Sequence, residues 1–111
     1  MRRVEPSDHA TPMTESELQG HIIKMAQAQG WWVKPAQQGS QEPGRRKIRN
    51  GTAAGFPDLV LARNGQVMFW ELKDQKGSES QEQVNWSLQL PCYEVIRPSD
   101  LARGRVDELL A

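Results

Sequence analysis

The sequence predicts a mixed α/β domain in which helices flank a mixed β-sheet, with the element order α-β-β-β-α-β-α. Three observations support this prediction. The pattern Thr14-x-x-Glu17 is a capping box, which begins a helix. Asn64-Gly65 is the strongest short-range signal of a two-residue hairpin turn, because both central residues of that turn need a positive φ. A second capping box, Ser80-x-x-Gln83, begins a helix that precedes a strand at 93–96, and this alternation favours parallel pairing of that strand onto the hairpin.

The first helix is predicted from Thr14 until Gly30 stops it. Apolar residues recur at helical spacing along one of its faces, at Leu18, Ile22, Met25 and Ala26. Residues 31–34 are typical of a strand, which Pro35 ends. Residues 36–54 are polar and have neither helical nor strand periodicity, so we expect a long loop there.

The hairpin is predicted over about 58–73, with a loop at 74–78 after it. The helix that follows Ser80 should run to about Leu90, where Pro91 closes it. After the strand at 93–96, Ser99-Asp100 begins a C-terminal helix. Its imperfect apolar stripe consists of Leu101, Val106, Leu109 and Leu110.

The composition is that of a single small domain. The chain has 111 residues, and its 14 basic residues balance 14 acidic ones, so any affinity for nucleic acid must come from local patches. The single cysteine, Cys92, excludes an intramolecular disulfide. The sequence has no long apolar run, so we expect no membrane span and a cytoplasmic protein. We interpret residues 1–13 as a mobile tail and 14–111 as the folded domain.

The hairpin register brings two acidic residues together. If Asn64-Gly65 is the turn, Arg63 faces Gln66, and counting outward places Asp58 opposite Glu71. Directly opposed like charges destabilise a sheet unless something lies between them, and oxygen ligands are what Mg²⁺ prefers. Lys73 follows Glu71 by two residues, so its ammonium lies on the same face as the carboxylates. This pattern indicates metal-dependent cleavage of a phosphodiester.

These residues resemble the PD-(D/E)XK nuclease superfamily, with Pro57-Asp58 as the first half of its motif and Glu71-Leu72-Lys73 as the second. Within it, the chain is similar to the VRR-NUC family through three blocks, Gly55-Phe56-Pro57-Asp58-Leu59, Glu71-Leu72-Lys73 and Ser80-Gln81-Glu82-Gln83-Val84-Asn85-Trp86. The resemblance implies a restriction-endonuclease-like fold. It also implies a stand-alone, homodimeric nuclease like the Holliday-junction resolvases.

Two glutamates compete for an acidic role on the first helix. Glu17 is explained as the third residue of its capping box, whereas Glu15 lies on the apolar face, where an unpaired carboxylate is costly. The family resemblance also places a Glu at the start of this helix. We therefore prefer Glu15, which would support the metal directly or through a water.

Gln83 likewise has two interpretations. It completes the capping box headed by Ser80. The VRR-NUC resemblance instead assigns such a Gln, three residues before an aromatic residue such as Trp86, to the active site. There it would orient Lys73 or the scissile phosphate.

A basic run precedes the metal motif, in a loop rich in glycine and polar residues. We predict that it contacts the DNA backbone through Arg45, Arg46, Lys47 and Arg49. The tryptophans Trp31, Trp32, Trp70 and Trp86 could stack on bases, although most should belong to the core or to an interface.

The sequence is thus interpreted as a Mg²⁺- or Mn²⁺-dependent DNA endonuclease that acts on branched or duplex DNA and uses no organic cofactor. Asp58, Glu71 and the Leu72 carbonyl would hold the metal, with Lys73 acting on the attacking water. The alternative is a catalytically silent nucleic-acid-binding or scaffold protein with the same fold.

Overall fold

A computed structural model describes residues 13–36 and 54–111 of the chain. Within these ranges the elements follow in the order α1 (Glu15–Ala28), β1 (Trp32–Pro35), β2 (Leu59–Arg63), β3 (Gln66–Leu72), α2 (Gln81–Ser87), β4 (Tyr93–Ile96), α3 (Pro98–Ala102) and α4 (Arg105–Leu110). The predicted tail lies outside the described residues up to position 12. Met13, which we assigned to the tail, is partly buried against the core.

The four strands form one sheet in the order β1-β2-β3-β4. β1 pairs antiparallel with β2, and β2 pairs antiparallel with β3. β4 returns through α2 and pairs parallel with β3. The predicted class, a mixed α/β domain with a mixed sheet and flanking helices, is confirmed.

The hairpin has the predicted turn and register. Asn64 and Gly65 have φ values of 52° and 83°, as a type I′ turn requires. Arg63 faces Gln66, and the ladder continues outward to the pair Leu59–Trp70. Just beyond this last pair of the ladder, Asp58 precedes Leu59 on one strand and Glu71 follows Trp70 on the other.

Both capping boxes are present. Thr14 and Glu17 exchange hydrogen bonds at the start of α1, and Ser80 and Gln83 do the same at the start of α2. α1 ends before Gly30, whose φ is 86°, as predicted. α2, however, ends at Ser87 rather than near Leu90, because the chain continues in tighter turns. Pro91 has no N–H to donate to the carbonyl of Ser87, four residues before it, so the helical hydrogen-bond pattern cannot continue past Ser87.

The predicted single C-terminal helix is wrong, since the structure has two short helices, α3 and α4. Gly104, which lies between them, has a φ of 80° in the left-handed region. One continuous helix cannot accommodate that conformation, so the chain changes direction there. The observed order is therefore α-β-β-β-α-β-α-α.

The two faces of the sheet are covered by different helices. One face packs against α1 and α4 and forms the core, which consists of Leu18, Ile22, Ala26, Trp31, Leu59, Leu61, Met68, Trp70, Leu72, Ile96, Val106 and Leu110. On the other face, Phe56 makes edge-to-face contacts with Phe69 of β3 and with Trp86 of α2, at centroid distances of 6.1 and 5.0 Å. Strand alternation places Asp58, Glu71 and Lys73 on this second face, which we call the α2 face.

None of the helices described here is both long and apolar enough to cross a membrane.

Candidate active site

Asp58 is fixed at the start of β2 by hydrogen bonds to both neighbouring strands. Its backbone carbonyl accepts a hydrogen bond from the Ala36 N–H at 2.7 Å. Its side-chain Oδ2 accepts one from the Leu72 N–H at 2.8 Å. The Asp58 side chain thus takes the place of a backbone acceptor at the end of the hairpin ladder, which holds its carboxylate at the edge of the sheet.

Glu71 is almost fully buried, with 2% of its surface exposed. Its Oε2 accepts a hydrogen bond from Gln83 Nε2 at 2.7 Å. No group in the described part of the chain donates to its buried Oε1. An ionised carboxylate oxygen left without a partner in this way is costly, so the site favours either a proton or a cation there.

The pKa of Glu71 reflects this environment. Burial is the largest cause that raises it, followed by the negative charge of Asp58. The positive charge of Lys73 acts in the opposite direction but does not compensate, and the pKa rises from 4.5 to about 8. A side-chain hydrogen bond with Asp58 also raises the pKa of Glu71, so the two carboxyl groups can share a proton.

Lys73 is held beside the carboxylates. Its Nζ lies 3.6 Å from Glu71 Oε2, and its side chain is only 12% exposed. Its backbone N–H donates to the Ile96 carbonyl of β4. The loop that follows is fastened by Arg97, which donates to the carbonyls of Asp74 and Gly77. The ammonium is therefore positioned by a rigid backbone on the same face as both acids.

Gln83 closes the predicted capping box and also donates a hydrogen bond to Glu71. Its Oε1 accepts a hydrogen bond from the Ser80 N–H at 2.8 Å, which closes the capping box. Its Nε2 donates to Glu71. We expected Gln83 to orient Lys73 or a phosphate, but in the structure it contacts the acid. The amide has one acceptor and one donor end, so capping fixes which end points into the site.

Gly55 allows α2 to approach the hairpin closely. Its φ is 81°, and a Cβ built there would lie 2.6 Å from Glu82 Cβ and 2.8 Å from the Gln83 N. Any other residue would therefore displace the first turn of α2. Gly55 thus sets the distance over which Gln83 reaches Glu71.

Glu15 is not buried against the sheet as we expected. It is exposed, as are the other residues of the first turn of α1, because the buried stripe begins only at Leu18. Its negative charge still raises the pKa of Glu71, as the smallest of the contributions. Glu15 therefore lies on the site's side of the molecule without belonging to its buried part, and Glu17 is occupied by the cap.

The residues present fit a divalent cation. Among the described residues no group of three His, Cys, Asp or Glu side chains forms a metal cluster, so the candidate set is the pair Asp58 and Glu71. The N–H and C=O of one residue point to the same edge of a strand, so the Leu72 carbonyl points to the edge where its N–H meets Asp58. Together with the unpartnered Glu71 Oε1, these are the hard oxygen donors that Mg²⁺ and Mn²⁺ take.

Sequence reasoning missed Tyr93 and Glu79. The Tyr93 hydroxyl donates to Glu79 Oε2 at 2.7 Å. Burial and Glu79 raise the pKa of Tyr93, and the charges of Glu71 and Asp58 add to this, so the pair adjoins the site. The available signal was the parallel pairing of β4, which places Tyr93 opposite Phe69 on the α2 face. The predicted basic contacts Arg45, Arg46, Lys47 and Arg49 lie outside the described residues.

Comparison of the chain with protein-family models, with curated proteins and with solved structures finds no match.

Proposed function

We propose that this protein is a Mg²⁺- or Mn²⁺-dependent endodeoxyribonuclease with a restriction-endonuclease-like fold of the VRR-NUC type. The observation that carries the proposal is the buried Glu71, whose Oε1 has no donor among the described residues and which lies beside Asp58 with Lys73 on the same face. A purely structural role does not explain why two acids are built into one end of a hairpin. Cation binding does.

Asp58, Glu71 and the Leu72 carbonyl would hold the ion, and Glu15 would act through a water. A bound ion of this kind lowers the pKa of a water and neutralises charge on a phosphate. The residues around the ion would orient its ligands and the substrate. Gln83 holds Glu71 Oε2 by donation from Nε2, which leaves Oε1 as the oxygen available for coordination.

Lys73 supplies the remaining positive charge. Its Nζ lies 3.6 Å from Glu71 Oε2, so it faces the same space as the carboxylates. From there the ammonium can hold the attacking water or a phosphate oxygen, and it offsets the charge that accumulates on phosphorus during in-line displacement. Its limited exposure strengthens this interaction, because little water screens it.

Cleavage of defined DNA substrates tests the proposal. The purified protein with Mg²⁺ or Mn²⁺ is incubated with linear duplex, flap, splayed-arm and four-way junction DNA. Lys73→Ala is compared with Lys24→Ala, which removes an exposed lysine of α1. We expect metal-dependent cuts, with strong preference for branched DNA, and their loss in Lys73→Ala alone. DNA binding without cleavage under any metal would replace the proposal by the silent binding protein.

We also propose that the working unit is a two-fold dimer, since a domain this small gains footprint and a second cutting site by pairing. Sedimentation at micromolar concentration, with and without junction DNA, measures this directly. A monomer in both conditions would contradict the dimer and leave a simple nicking nuclease.

A further inference from the structure

One tryptophan on the α2 face is largely exposed in the described part of the structure. Trp31 and Trp70 are buried in the core, and Trp86 is partly buried and donates to the Ala54 carbonyl. Trp32, by contrast, is 82% exposed on the edge strand β1. Exposing an indole in this way forfeits the large stabilisation that its burial would give, so a binding role is indicated.

Trp32 shares its face with the candidate active site. It lies opposite Ala62, which in turn lies opposite Val67, so the three form one row across β1, β2 and β3. Val67 precedes Glu71 by four residues and therefore points to the same side of the sheet. At a rise of about 3.3 Å per residue, the row lies about 13 Å along the strands from Glu71.

Lys34 places a positive charge between the Trp32 row and the two carboxylates. Lys34 is exposed and pairs with Val60, whose side chain lies on the α2 face between the Trp32 row and Asp58. Along the direction of the strands, the α2 face thus presents an exposed aromatic ring, then an ammonium, then a pair of carboxylates that suits a metal. These are the groups that meet, in order, a base, a backbone phosphate and a scissile phosphate.

We infer that Trp32 is a stacking platform for an unpaired base of the DNA substrate, with Lys34 contacting the backbone between that base and the cut. This inference rests on the proposed nuclease function and deepens it, because it names the substrate class as DNA with unpaired nucleotides next to the cleavage site. Within a duplex each base is stacked on both sides, so an indole can cover only a base that has left the stack. The apolar row is also only three residues wide, whereas a stable protein interface takes about 20–30 residues a side.

The test measures binding in EDTA, so that it does not depend on cleavage. Fluorescence anisotropy gives the affinities for a single-stranded 12-mer, for a duplex with a short flap and for a blunt duplex. The variants are Trp32→Leu, which keeps an apolar side chain, and Trp32→Phe, which keeps a ring. Leu88→Ala is the control, because Leu88 is 74% exposed and lies at the end of α2.

We expect Trp32→Leu to lose about 5- to 150-fold in affinity for the single strand and the flap, and to stay within about twofold on the blunt duplex. Trp32→Phe should retain most of the affinity, and Leu88→Ala all of it. Equal affinities of Trp32→Leu and wild type, or equal losses on paired and unpaired DNA, would overturn the inference. So would a Trp32→Leu variant that binds DNA normally but sediments at a lower mass, because Trp32 would then belong to an interface with a second copy of the chain.

The two proposals fail separately. A wild-type protein that binds unpaired DNA through Trp32 but cuts nothing would leave the stacking site standing and remove the nuclease. If the protein cuts DNA and Trp32→Leu binds every substrate normally, the nuclease stands and the stacking site is wrong.

Discussion

Two acidic residues of the described chain are buried, and their surroundings differ sharply. Asp100 is 5% exposed and Glu71 is 2% exposed. Asp100 Oδ2 accepts from the Arg97 N–H, and its Oδ1 accepts from Arg103 and faces Arg105. Within residues 13–36 and 54–111, Glu71 accepts a hydrogen bond from Gln83 alone, forms a weaker ion pair with Lys73 and has a second acid next to it.

The comparison shows that burial alone does not identify a functional acid. Burial is the largest influence on the pKa of both, yet the hydrogen bonds from Arg97 and Arg103 and the charge of Arg105 outweigh it and lower the pKa of Asp100. At Glu71 nothing outweighs it, and the pKa rises to about 8. Asp100 therefore has partners for both carboxylate oxygens and fastens α3 to the end of β4, whereas Glu71 Oε1 has no partner among the described residues.

The largest expected contrast is in cleavage. Glu71→Gln keeps the shape but removes the charge that would hold the metal in the proposed nuclease, so the cleavage rate should fall by on the order of 10³-fold or more. Asp100→Asn should cut at the wild-type rate once its folded fraction is taken into account. Rates of flap cleavage in Mg²⁺, normalised to folded protein by circular dichroism, measure both. If the two variants lose activity equally, Glu71 is only a structural acid.

The pH dependence of stability separates the acids further. Glu71 is protonated in the metal-free folded protein up to about pH 8, but the unfolded chain loses that proton near pH 4.5. The contribution of Glu71 is thus complete below pH 4.5 and is lost as the pH rises to about 8, by on the order of a few kcal/mol. Thermal unfolding in EDTA between pH 5 and 9 should show this decline for wild type. Glu71→Gln should flatten it, and parallel curves would contradict the raised pKa.

Asp100, unlike Glu71, should stabilise the fold in its ionised form, so its removal should lower the free energy of unfolding at neutral pH. Asp100→Ala removes hydrogen bonds to charged groups and the only side chain that caps the Arg97 N–H in the described structure, at a cost of about 1.5–3 kcal/mol at neutral pH. Because the pKa of Asp100 is lowered, this loss should shrink as the pH falls below 3.8. Urea unfolding at pH 7 and pH 3 measures both values. If Glu71→Gln is destabilised as much as Asp100→Ala at pH 7, the two acids contribute alike to stability and the contrast between them is wrong.

The smallest expected contrast concerns the hydrogen bond that Gln83 donates to Glu71. Gly55→Ala and Gly65→Ala both place a side chain at a φ near +80°, which costs about 1–2 kcal/mol. Only at Gly55 would the new Cβ also meet Glu82, whereas nothing lies within 4 Å at Gly65. Gly55→Ala should therefore cost about 1–3 kcal/mol more and reduce cleavage, because it shifts Gln83 away from Glu71. Equal unfolding energies and equal rates of the two variants would show that the close approach has no consequence.

The sequence was sufficient wherever a local rule fixes the backbone. Asn64-Gly65 admits few turn types, so the register of the hairpin and the meeting of Asp58 with Glu71 could be counted residue by residue. Both capping boxes begin their helices where their patterns indicate. The placement of Asp58, Glu71 and Lys73 on one face of the sheet was predictable for the same reason.

Other features depend on contacts between distant segments. Glycine ends some helices, as at Gly30, and is tolerated inside others at a modest cost, so Gly104 alone did not decide between one helix and two. The exposure of Glu15 and the donation from Gln83 depend on how far each helix extends beyond the sheet. The hydrogen bond between Tyr93 and Glu79 requires β4 to be in place, and no short-range pattern encodes it.

The Asn64-Gly65 hairpin also bears on the order in which the chain folds. Hairpins form in about 1–10 μs, well before a parallel strand can return through a crossover helix. We therefore expect Asp58 and Glu71 to meet while both are still hydrated, before Gln83 of α2 and the strand β4 reach them. On this expectation the later steps remove water from a pair of acids that has already met, and a divalent cation bound at the proposed site would accelerate those steps rather than the first one.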